Sequence, residues 1–389
     1  MKYSKIKEEL QSRRENNLYR ETVVYPRSGE EVVVDGRRLL NFSSNDYLDF
    51  ANHPDLKEKA IEYTRRYGTG STASRLVTGT LTIHQELENR LAAFKDYPEV
   101  LLFGSGYLAN TGVIPALVGR SDYIVADKLV HASIIDGILL SRANFYRFDH
   151  NDVSDLNRRL EKIPSDSRIL IITESIFSMD GDRAPLEEIA KLAEKYEALF
   201  MVDEAHAGGI FGENGAGLVN ALGLQDRVDI SMFTLSKALG AYGGAIACGE
   251  TMKKYLINTC RSFIYSTAPP PSVLGSVMAA LDLLKENPDL GTRLLINSDY
   301  FRARLKESGL ETGGSTSQIV PVIIGDSKKA LRFSNALKEA GILAVAIRPP
   351  TVPTGSARIR FSISLAHSKK RLKETADKVI EIAGQLGVI

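Results

Sequence analysis

The spacing of apolar residues predicts a chain in which short strands alternate with helices. Apolar runs separated by helix-length segments occupy residues 100–103, 123–126, 169–173, 199–202, 230–234 and 244–247. A repeated strand–helix–strand order places the strands in parallel and leaves both faces of the sheet to be covered. We therefore expect an α/β fold with a large, mainly parallel sheet between two layers of helices.

One helix is predicted in more detail. Ile83, Leu87, Leu91 and Phe94 recur at the spacing of a single helical face. The four residues from Thr82 to Gln85 match a capping box, in which a hydroxyl and the side chain three residues later bond to each other's backbone N–H groups. The pattern predicts an amphipathic helix capped by Thr82.

The last hundred residues follow a different pattern. Residues 319–324 and 342–347 each predict a strand, residues 358–363 alternate in polarity, and a helix covers residues 372–383. This α+β pattern predicts a smaller second domain, linked through a helix near residues 273–285. We expect an N-terminal arm at 1–45 packed on the small domain, a large domain at 46–288 and a small C-terminal domain at 289–389.

Composition narrows the functional class. Lys and Arg number 49 and Asp and Glu number 48 among 389 residues, a formal net charge of +1, so no overall field attracts nucleic acid or an anionic membrane. The two cysteines, Cys248 and Cys260, form neither a disulfide framework nor a CxxC metal site. No apolar stretch is long enough for a membrane span or a signal peptide. We expect a cytoplasmic protein without metal, nucleic-acid or membrane partners.

A lysine follows the predicted strand at 230–234. Lys237 lies between hydroxyl residues and glycines, in FTLSKALGAYGG at 233–244. A buried amine at the end of a strand can form a Schiff base. Taken alone, a lysine in this position is more often a solvated loop residue.

Asp203 favours the first interpretation. It directly follows the apolar run at 199–202, at the sheet edge where α/β proteins form ligand sites. Pyridoxal phosphate needs such an acid, because a carboxylate facing the pyridine nitrogen keeps the ring protonated. A helix-capping aspartate is the alternative, but Lys237 and Asp203 together favour the cofactor.

The third feature is the glycine-rich turn GSGYLAN at 104–110, which follows a strand and opens a helix. Free N–H groups at such a helix start bind phosphate. With Asp127 about 20 residues further on, the same stretch also matches the dinucleotide fingerprint of an NAD-dependent oxidoreductase. That alternative explains neither Lys237 nor Asp203, whereas one bound phosphate joins all three features into a single site.

Two polar segments follow other predicted strands. Residues 127–133 carry His131, and residues 172–182 carry Glu174 and Ser178. A lone histidine is usually structural, but the position of His131 after a strand assigns it to the same sheet edge as Asp203. We consider both segments candidate parts of the site.

Six motifs together resemble one known family. TLSKALGAYGG, DEAHAGG, TESIFSMDGD, SGYLAN, NFSSNDYL and SRLVTG are similar to motifs of the α-oxoamine synthases, which are fold-type I pyridoxal-phosphate enzymes. The resemblance extends from about residue 18 to the C-terminus. It implies a fold-type I transferase with pyridoxal 5'-phosphate as cofactor, and a homodimer.

The resemblance also implies roles for individual residues. Lys237 would bind the cofactor aldehyde, Asp203 would pair with the pyridine nitrogen, and His131 would stack on the ring. The other matched positions contact the phenolic oxygen (Ser178, His206), the phosphate (Gly106, Tyr107, Thr234 and, from the neighbouring subunit, Thr267) or the substrates (Arg348, Asn45, Arg20).

The resemblance implies a decarboxylative condensation of an amino acid with an acyl thioester. AIRPPTVP at 346–353 and DHND at 149–152 are most similar to the member that joins L-alanine to a pimeloyl thioester, on coenzyme A or a carrier protein, in biotin biosynthesis. A sibling that joins glycine to acetyl-CoA is the nearest alternative. An NAD-dependent oxidoreductase and a catalytically silent binding protein are more distant ones.

Two positions depart from the family's usual pattern. Asp49 replaces a glycine after NDYL, and Ala207 replaces a small hydroxyl residue after DEAH. Both bear on the shape of the acyl pocket, and neither touches the groups expected to act on the amino acid.

Overall fold

The computed structural model describes residues 2–16, 18–28, 30–34 and 36–389. Within these residues the α-helices span Ser4–Glu15 (α1), Pro54–Tyr67 (α2), Thr82–Lys95 (α3), Gly106–Leu117 (α4), Ala132–Ser141 (α5), Val153–Leu160 (α6), Leu186–Lys195 (α7), Leu218–Ala221 (α8), Glu250–Thr259 (α9), Arg261–Ile264 (α10), Pro271–Glu286 (α11), Leu290–Glu307 (α12), Ser327–Glu339 (α13) and Lys369–Gln385 (α14). The strands span Arg27–Ser28 (β1), Glu31–Val34 (β2), Arg37–Asn41 (β3), Glu99–Phe103 (β4), Tyr123–Asp127 (β5), Asn144–Phe148 (β6), Ile169–Glu174 (β7), Leu199–Asp203 (β8), Ile230–Thr234 (β9), Gly244–Cys248 (β10), Ile319–Gly325 (β11), Ile342–Leu343 (β12), Val345–Ile347 (β13) and Ala357–Ser362 (β14).

The central sheet has seven strands in the order β4-β10-β9-β8-β7-β5-β6. Strands β5 to β9 pair in parallel, and β10 runs antiparallel to both of its neighbours. The prediction of an α/β fold with a mainly parallel sheet is therefore confirmed.

Both faces of this sheet are buried. Phe200 and Val202 belong to one apolar cluster and Met201 to another, and all three side chains are fully buried. Because successive strand residues point to opposite faces, an uninterrupted apolar run is what a strand covered on both sides requires.

Two smaller sheets hold the rest of the strands. One has the order β1-β2-β3-β12, with β12 parallel to β3, and the other the order β11-β14-β13. The N-terminal strands therefore share a sheet with residues 342–343. The domain boundaries at residues 45 and 288 stay a prediction.

The single strand predicted at 342–347 is wrong. Ile342–Leu343 pairs with β3, whereas Val345–Ile347 pairs antiparallel with β14 in another sheet. The apolar run contains no glycine or proline to mark the change of partner, and both partners lie far away in sequence.

The predicted capping box is also wrong. Helix α3 begins at Thr82, but its cap residue is Leu81, whose N–H donates to Nδ1 of His84 at 3.1 Å. His84 is fully buried, and its Nε2 donates to the carbonyl of Pro269 at 3.0 Å. The His84 imidazole thus makes the backbone contact expected of the Gln85 side chain. One of its nitrogens accepts from the Leu81 N–H, and the other donates to the Pro269 carbonyl.

Asp49 adopts a backbone conformation that favours glycine. Its φ of 59° lies in the left-handed region, which aspartate tolerates better than most residues. The departure from glycine at this position therefore preserves the local turn. Among the described helices, none combines the length and apolarity needed to cross a membrane.

Candidate active site

Four polar residues end neighbouring strands of the central sheet. Asp127, Glu174, Asp203 and Thr234 are the last residues of β5, β7, β8 and β9. The carboxyl ends of parallel strands meet at one edge, where α/β proteins form ligand sites. The loops that leave this edge carry His131, Ser178, His206 and Lys237, so one surface of the sheet collects most of the predicted cofactor site.

Lys237 begins a chain of hydrogen bonds that we call the lysine chain. Its Nζ lies 2.8 Å from Nε2 of His206, and Nδ1 of His206 lies 2.8 Å from the hydroxyl of Tyr47. That hydroxyl lies 3.0 Å from Oδ1 of Asn45 and accepts from Nη2 of Arg360 at 3.2 Å. The chain joins residues from both ends of the sequence to the central lysine.

The surroundings of Lys237 favour its neutral form. Burial lowers the pKa of Lys237 to about 8, against the opposing effect of the Asp203 and Glu174 carboxylates. Burial and the charge of Lys237 hold the pKa of His206 well below its usual range. At neutral pH roughly one Lys237 in ten is then an uncharged amine, against fewer than one in a thousand ordinary lysines.

Asp203 begins a second chain, the aspartate chain. Its carboxylate is buried and accepts from Nδ2 of Asn110 and from the N–H of Ala205, each at 2.9 Å. The same Asn110 nitrogen donates to Oγ of Ser133 at 2.9 Å, and that hydroxyl lies 2.8 Å from Nδ1 of His131. The chain fixes Asp203 and His131 relative to each other.

The tautomer of His131 follows from this geometry. The backbone N–H of Ser133 donates to Nδ1 of His131 at 3.2 Å, so the neutral ring carries its proton on Nε2. Burial lowers the pKa of His131, as does the charge of Lys237, while Asp203 opposes them. Nε2 is therefore a hydrogen-bond donor.

The glycine-rich turn forms a cradle at the start of α4. A Cβ at Gly106 would lie 2.7 Å from Cγ2 of Thr234, and a Cβ at Gly244 would lie 2.5 Å from the Gly106 nitrogen. The side chain and carbonyl of Ser105 accept from the third and fourth helical N–H groups. The N–H groups of Gly106 and Tyr107 have no such partner among the described residues, which suits them to bind an anion.

Ser178 and His131 line an adjacent cavity of about 580 Å³. Ser178 is buried, and its carbonyl accepts from Nε of Arg360 at 2.7 Å. Arg20 also lines the cavity and donates to Oγ1 of Thr351 at 3.2 Å. Burial and the charge of Arg20 lower the pKa of the partly buried Arg348, which places two cations at this end.

Two predicted cofactor contacts are exposed. Tyr107 bonds through its hydroxyl to the Asp136 carboxylate, and its ring lies edge-on to His131 with a centroid distance of 6.5 Å. Thr267 forms an isolated β-bridge with Ser74. Thr267 belongs to neither the lysine chain nor the aspartate chain of this subunit.

Comparisons with known proteins agree with this geometry. The family model described as aminotransferase class I and II matches residues 37–379. An 8-amino-7-oxononanoate synthase of Citrifermentans bemidjiense is 45% identical, covering 98% of this chain and 99% of the relative. The chain belongs to the aminotransferase class I and II family. Within it, this chain is an α-oxoamine synthase, as its motifs predict.

Solved structures share the whole fold. Serine palmitoyltransferase from S. paucimobilis, with PLP and myriocin bound, has a TM-score of 0.93 and 30% identity, covering 100% of this chain and 99% of that one. The 8-amino-7-oxononanoate synthase of Francisella tularensis has a TM-score of 0.77 and 30% identity, covering 89% and 98%. The fold-type I prediction is confirmed, and the cofactor is pyridoxal phosphate.

The residues present fit this cofactor. The N–H groups at the start of α4 suit its phosphate, the buried Asp203 carboxylate suits a protonated ring nitrogen, and the Lys237 amine suits its aldehyde. In addition, Oδ1 of Asn110, beside Asp203, is buried and has no hydrogen-bond partner among the residues that the structure describes. A polar group bound at this edge would meet that unsatisfied atom.

The dinucleotide alternative fails at Asp127. Its carboxylate accepts from the N–H groups of Leu129 and Asn151 at 2.8 and 2.9 Å and lies 3.1 Å from Nδ1 of His150. The Asp127 carboxylate is therefore already bound by groups of the protein and is not available to a ribose hydroxyl.

Sequence reasoning gave no role to four residues of the two chains, Tyr47, Asn110, Ser133 and Arg360. Asn110 and Tyr47 lie inside recognised motifs, and Arg360 lies within the fully buried strand β14. An arginine in an otherwise apolar alternating strand is an available signal, since a buried guanidinium needs partners. Their partners are remote in sequence, so spacing alone could not identify them.

Proposed function

We propose that the chain condenses L-alanine with a pimeloyl thioester and releases CO2 and the free thiol to give 8-amino-7-oxononanoate. The observation that carries this proposal is the position of the Lys237 amine, whose Nζ lies 2.8 Å from Nε2 of His206 and within the electrostatic influence of the Asp203 carboxylate. The likeness to relatives named 8-amino-7-oxononanoate synthase supports the choice of product. The enzyme would act in the cytoplasm, where the free, buried cysteines stay reduced.

Lys237 has two tasks in this proposal. When bound, pyridoxal phosphate supplies the electron sink for the negative charge that develops at Cα of the amino acid. Lys237 first holds the cofactor and then, once displaced by the amino acid, removes the Cα proton as general base. A pKa of about 8 suits both tasks, because the amine is accessible at neutral pH and its conjugate acid can return the proton.

Asp203 and His131 assist from the aspartate chain. The Asp203 carboxylate holds the proton on the ring nitrogen, and Asn110 keeps that carboxylate in place at 2.9 Å. The Nε2 proton of His131 can polarise the thioester oxygen that receives negative charge during attack. Both residues act as electrostatic partners to developing charge.

The arginines orient the substrates. A guanidinium can hold a carboxylate through two parallel hydrogen bonds, which would fix the orientation of the amino acid and so select the Cα bond that breaks. We assign this task to Arg348, with Asn45 and Arg20 as further substrate contacts.

The proposal includes a homodimer in which Thr267 reaches the phosphate site of the neighbouring subunit. The Ser74–Thr267 bridge holds this residue beside a strongly exposed apolar group of side chains, Leu76, Val77 and Tyr265. Contiguous exposed apolar surface of this kind marks protein–protein contacts.

Thiol release tests the function directly. The holoenzyme is assayed with alanine, glycine and serine, each paired with pimeloyl-CoA, acetyl-CoA and palmitoyl-CoA. We expect kcat/KM for alanine with pimeloyl-CoA to exceed every other pair by at least about tenfold, a difference of about 1.4 kcal/mol in transition-state binding. Lys237→Ala is the control and should release thiol several orders of magnitude more slowly.

Two results would refute the substrate assignment. A preference for glycine with acetyl-CoA would place the enzyme with its sibling ligase, and a preference for serine with palmitoyl-CoA would place it with serine palmitoyltransferase. Thiol release that survives in Lys237→Ala would refute the role of the lysine itself.

A further inference from the structure

The inference concerns Tyr47, whose phenol is fully buried in the lysine chain. Its hydroxyl has three hydrogen-bond partners: Nδ1 of His206 at 2.8 Å, Oδ1 of Asn45 at 3.0 Å and Nη2 of Arg360 at 3.2 Å. The Gln318 side chain also lies close enough to lower the pKa of the phenol. The role inferred for this hydroxyl rests on the proposed function only in taking Lys237 as the cofactor lysine.

The direction of each hydrogen bond follows from which groups can donate. An ammonium and a guanidinium only donate, and an amide oxygen only accepts. When Lys237 is charged, it donates to Nε2 of His206, so the neutral ring carries its proton on Nδ1. The Nδ1–H of His206 and the Nη2–H of Arg360 therefore both donate to the Tyr47 oxygen, and the Tyr47 hydroxyl donates its own hydrogen bond to Oδ1 of Asn45.

We propose that Tyr47 is a positioning residue for the reaction: its hydroxyl fixes the Nδ1-protonated tautomer of His206 and thereby keeps the Nε2 lone pair directed at Lys237. Without the hydroxyl, the Nδ1 proton of His206 has no acceptor at this point of the chain. The tautomer of His206 with its proton on Nε2 then becomes the more stable one. In that tautomer the Nε2 proton faces Lys237 and disfavours the ammonium form of the lysine. Tyr47 therefore stabilises the protonated state in which Lys237 must carry the Cα proton.

Other charged groups around the two residues do not replace this contact. Asp203 and Glu174 raise the pKa of Lys237 through space, and Arg360 lowers it. Around Tyr47 itself, burial raises the phenol pKa and the Arg360 guanidinium opposes this. The phenol therefore stays neutral and acts as a hydrogen-bond relay.

The test compares Tyr47→Phe with Tyr97→Phe. Tyr97 is a second buried tyrosine, whose hydroxyl donates to the carbonyl of Val228 at 3.1 Å, apart from both chains. The pKa of Lys237 is measured in the cofactor-free full chain from the pH dependence of its labelling by acetic anhydride, read on the Lys237 peptide by mass spectrometry. In the holoenzyme, the pH titration of the visible cofactor absorbance reports the protonation of the lysine–cofactor linkage, a separate reading on the same nitrogen.

We expect Tyr47→Phe to lower the Lys237 pKa so that the ratio of ammonium to amine falls at least about threefold at a given pH. Tyr97→Phe should titrate like the wild type. An unchanged Lys237 titration in Tyr47→Phe, or an equal shift in Tyr97→Phe, would overturn the proposal. Because this titration uses no substrate, its outcome is separate from the thiol-release result.

A measurement on the wild type covers the case in which Tyr47→Phe does not fold. Nitrogen-15 NMR of the histidine-labelled chain, below the Lys237 pKa of about 8, should show His206 protonated on Nδ1. Protonation on Nε2 under these conditions would contradict the argument, whatever the variant does.

Discussion

At the scale of single residues, the sequence predicted which functional side chains follow strands, but it did not predict which residues these side chains contact. Lys237 and Asp203 stand at strand ends that the apolar pattern marks, so their common edge followed from the topology of a parallel sheet. Asn110 donates to Asp203 from helix α4, and Arg360 joins the lysine chain at Tyr47 from strand β14. Such contacts depend on tertiary packing between remote segments, and no local spacing encodes them.

Arg348 provides a prediction at this scale. Arg348→Ala should raise the KM for alanine roughly tenfold, about 1.4 kcal/mol of lost binding, because the amino-acid carboxylate loses a two-point contact. Steady-state kinetics with alanine as the varied substrate measure this. Arg332→Ala, on an exposed position of α13, is the control with no change expected. A KM equal to that of the wild type would remove Arg348 from the amino-acid site and direct attention to the buried Arg360.

At the scale of elements, three loops at the sheet edge are tied together by His150. Its Nδ1 lies 3.1 Å from the Asp127 carboxylate and its Nε2 lies 2.8 Å from Asp182. Asp127 begins the loop to His131, and Asp182 ends the loop that carries Ser178. The ring also lies edge-on to Phe177, with a centroid distance of 4.4 Å, so one imidazole fixes two segments of the proposed cofactor site.

The charge on His150 predicts a pH dependence of stability. Burial lowers the pKa of His150, but hydrogen bonds to Asp127 and Asp182 outweigh it and raise the pKa from 6.5 to about 10. A raised folded-state pKa gives stability that is fully present below 6.5 and is lost as the pH rises through about 10. The contribution is on the order of a few kcal/mol.

Denaturant unfolding of the wild type and His150→Gln over this pH range measures the effect. The difference in free energy of unfolding should be largest at the acid end and shrink towards the alkaline end. Asp182→Asn removes one of the two carboxylates and should weaken the same trend. A difference that is constant across the range would show that His150 is neutral in the folded protein.

At the scale of the whole molecule, hydrophobic patterning predicted the strands of the central sheet that are buried on both faces, because each reads as one apolar run. It did not predict β6, a partly exposed strand at the edge of the sheet. Hydrophobic patterning could not predict the antiparallel direction of β10 or the pairing of β3 with β12. Strand direction and partner choice depend on how distant segments meet, and the run at 342–347 carries the same apolar signal for two different sheets.

Contacts between segments that are remote in sequence complete the candidate active site. Tyr47 comes from the N-terminal part of the chain, Asp203 and Lys237 from the central sheet, and Arg360 from the C-terminal strand β14. We propose that these residues together support one covalent bond, between Lys237 and the cofactor aldehyde.

Borohydride reduction of the purified holoenzyme, followed by digestion and mass spectrometry, tests that claim most directly. Reduction converts the lysine–cofactor linkage into a stable secondary amine, and we predict the added mass on the peptide that contains Lys237. The same mass on a different peptide, or on none, would contradict the account.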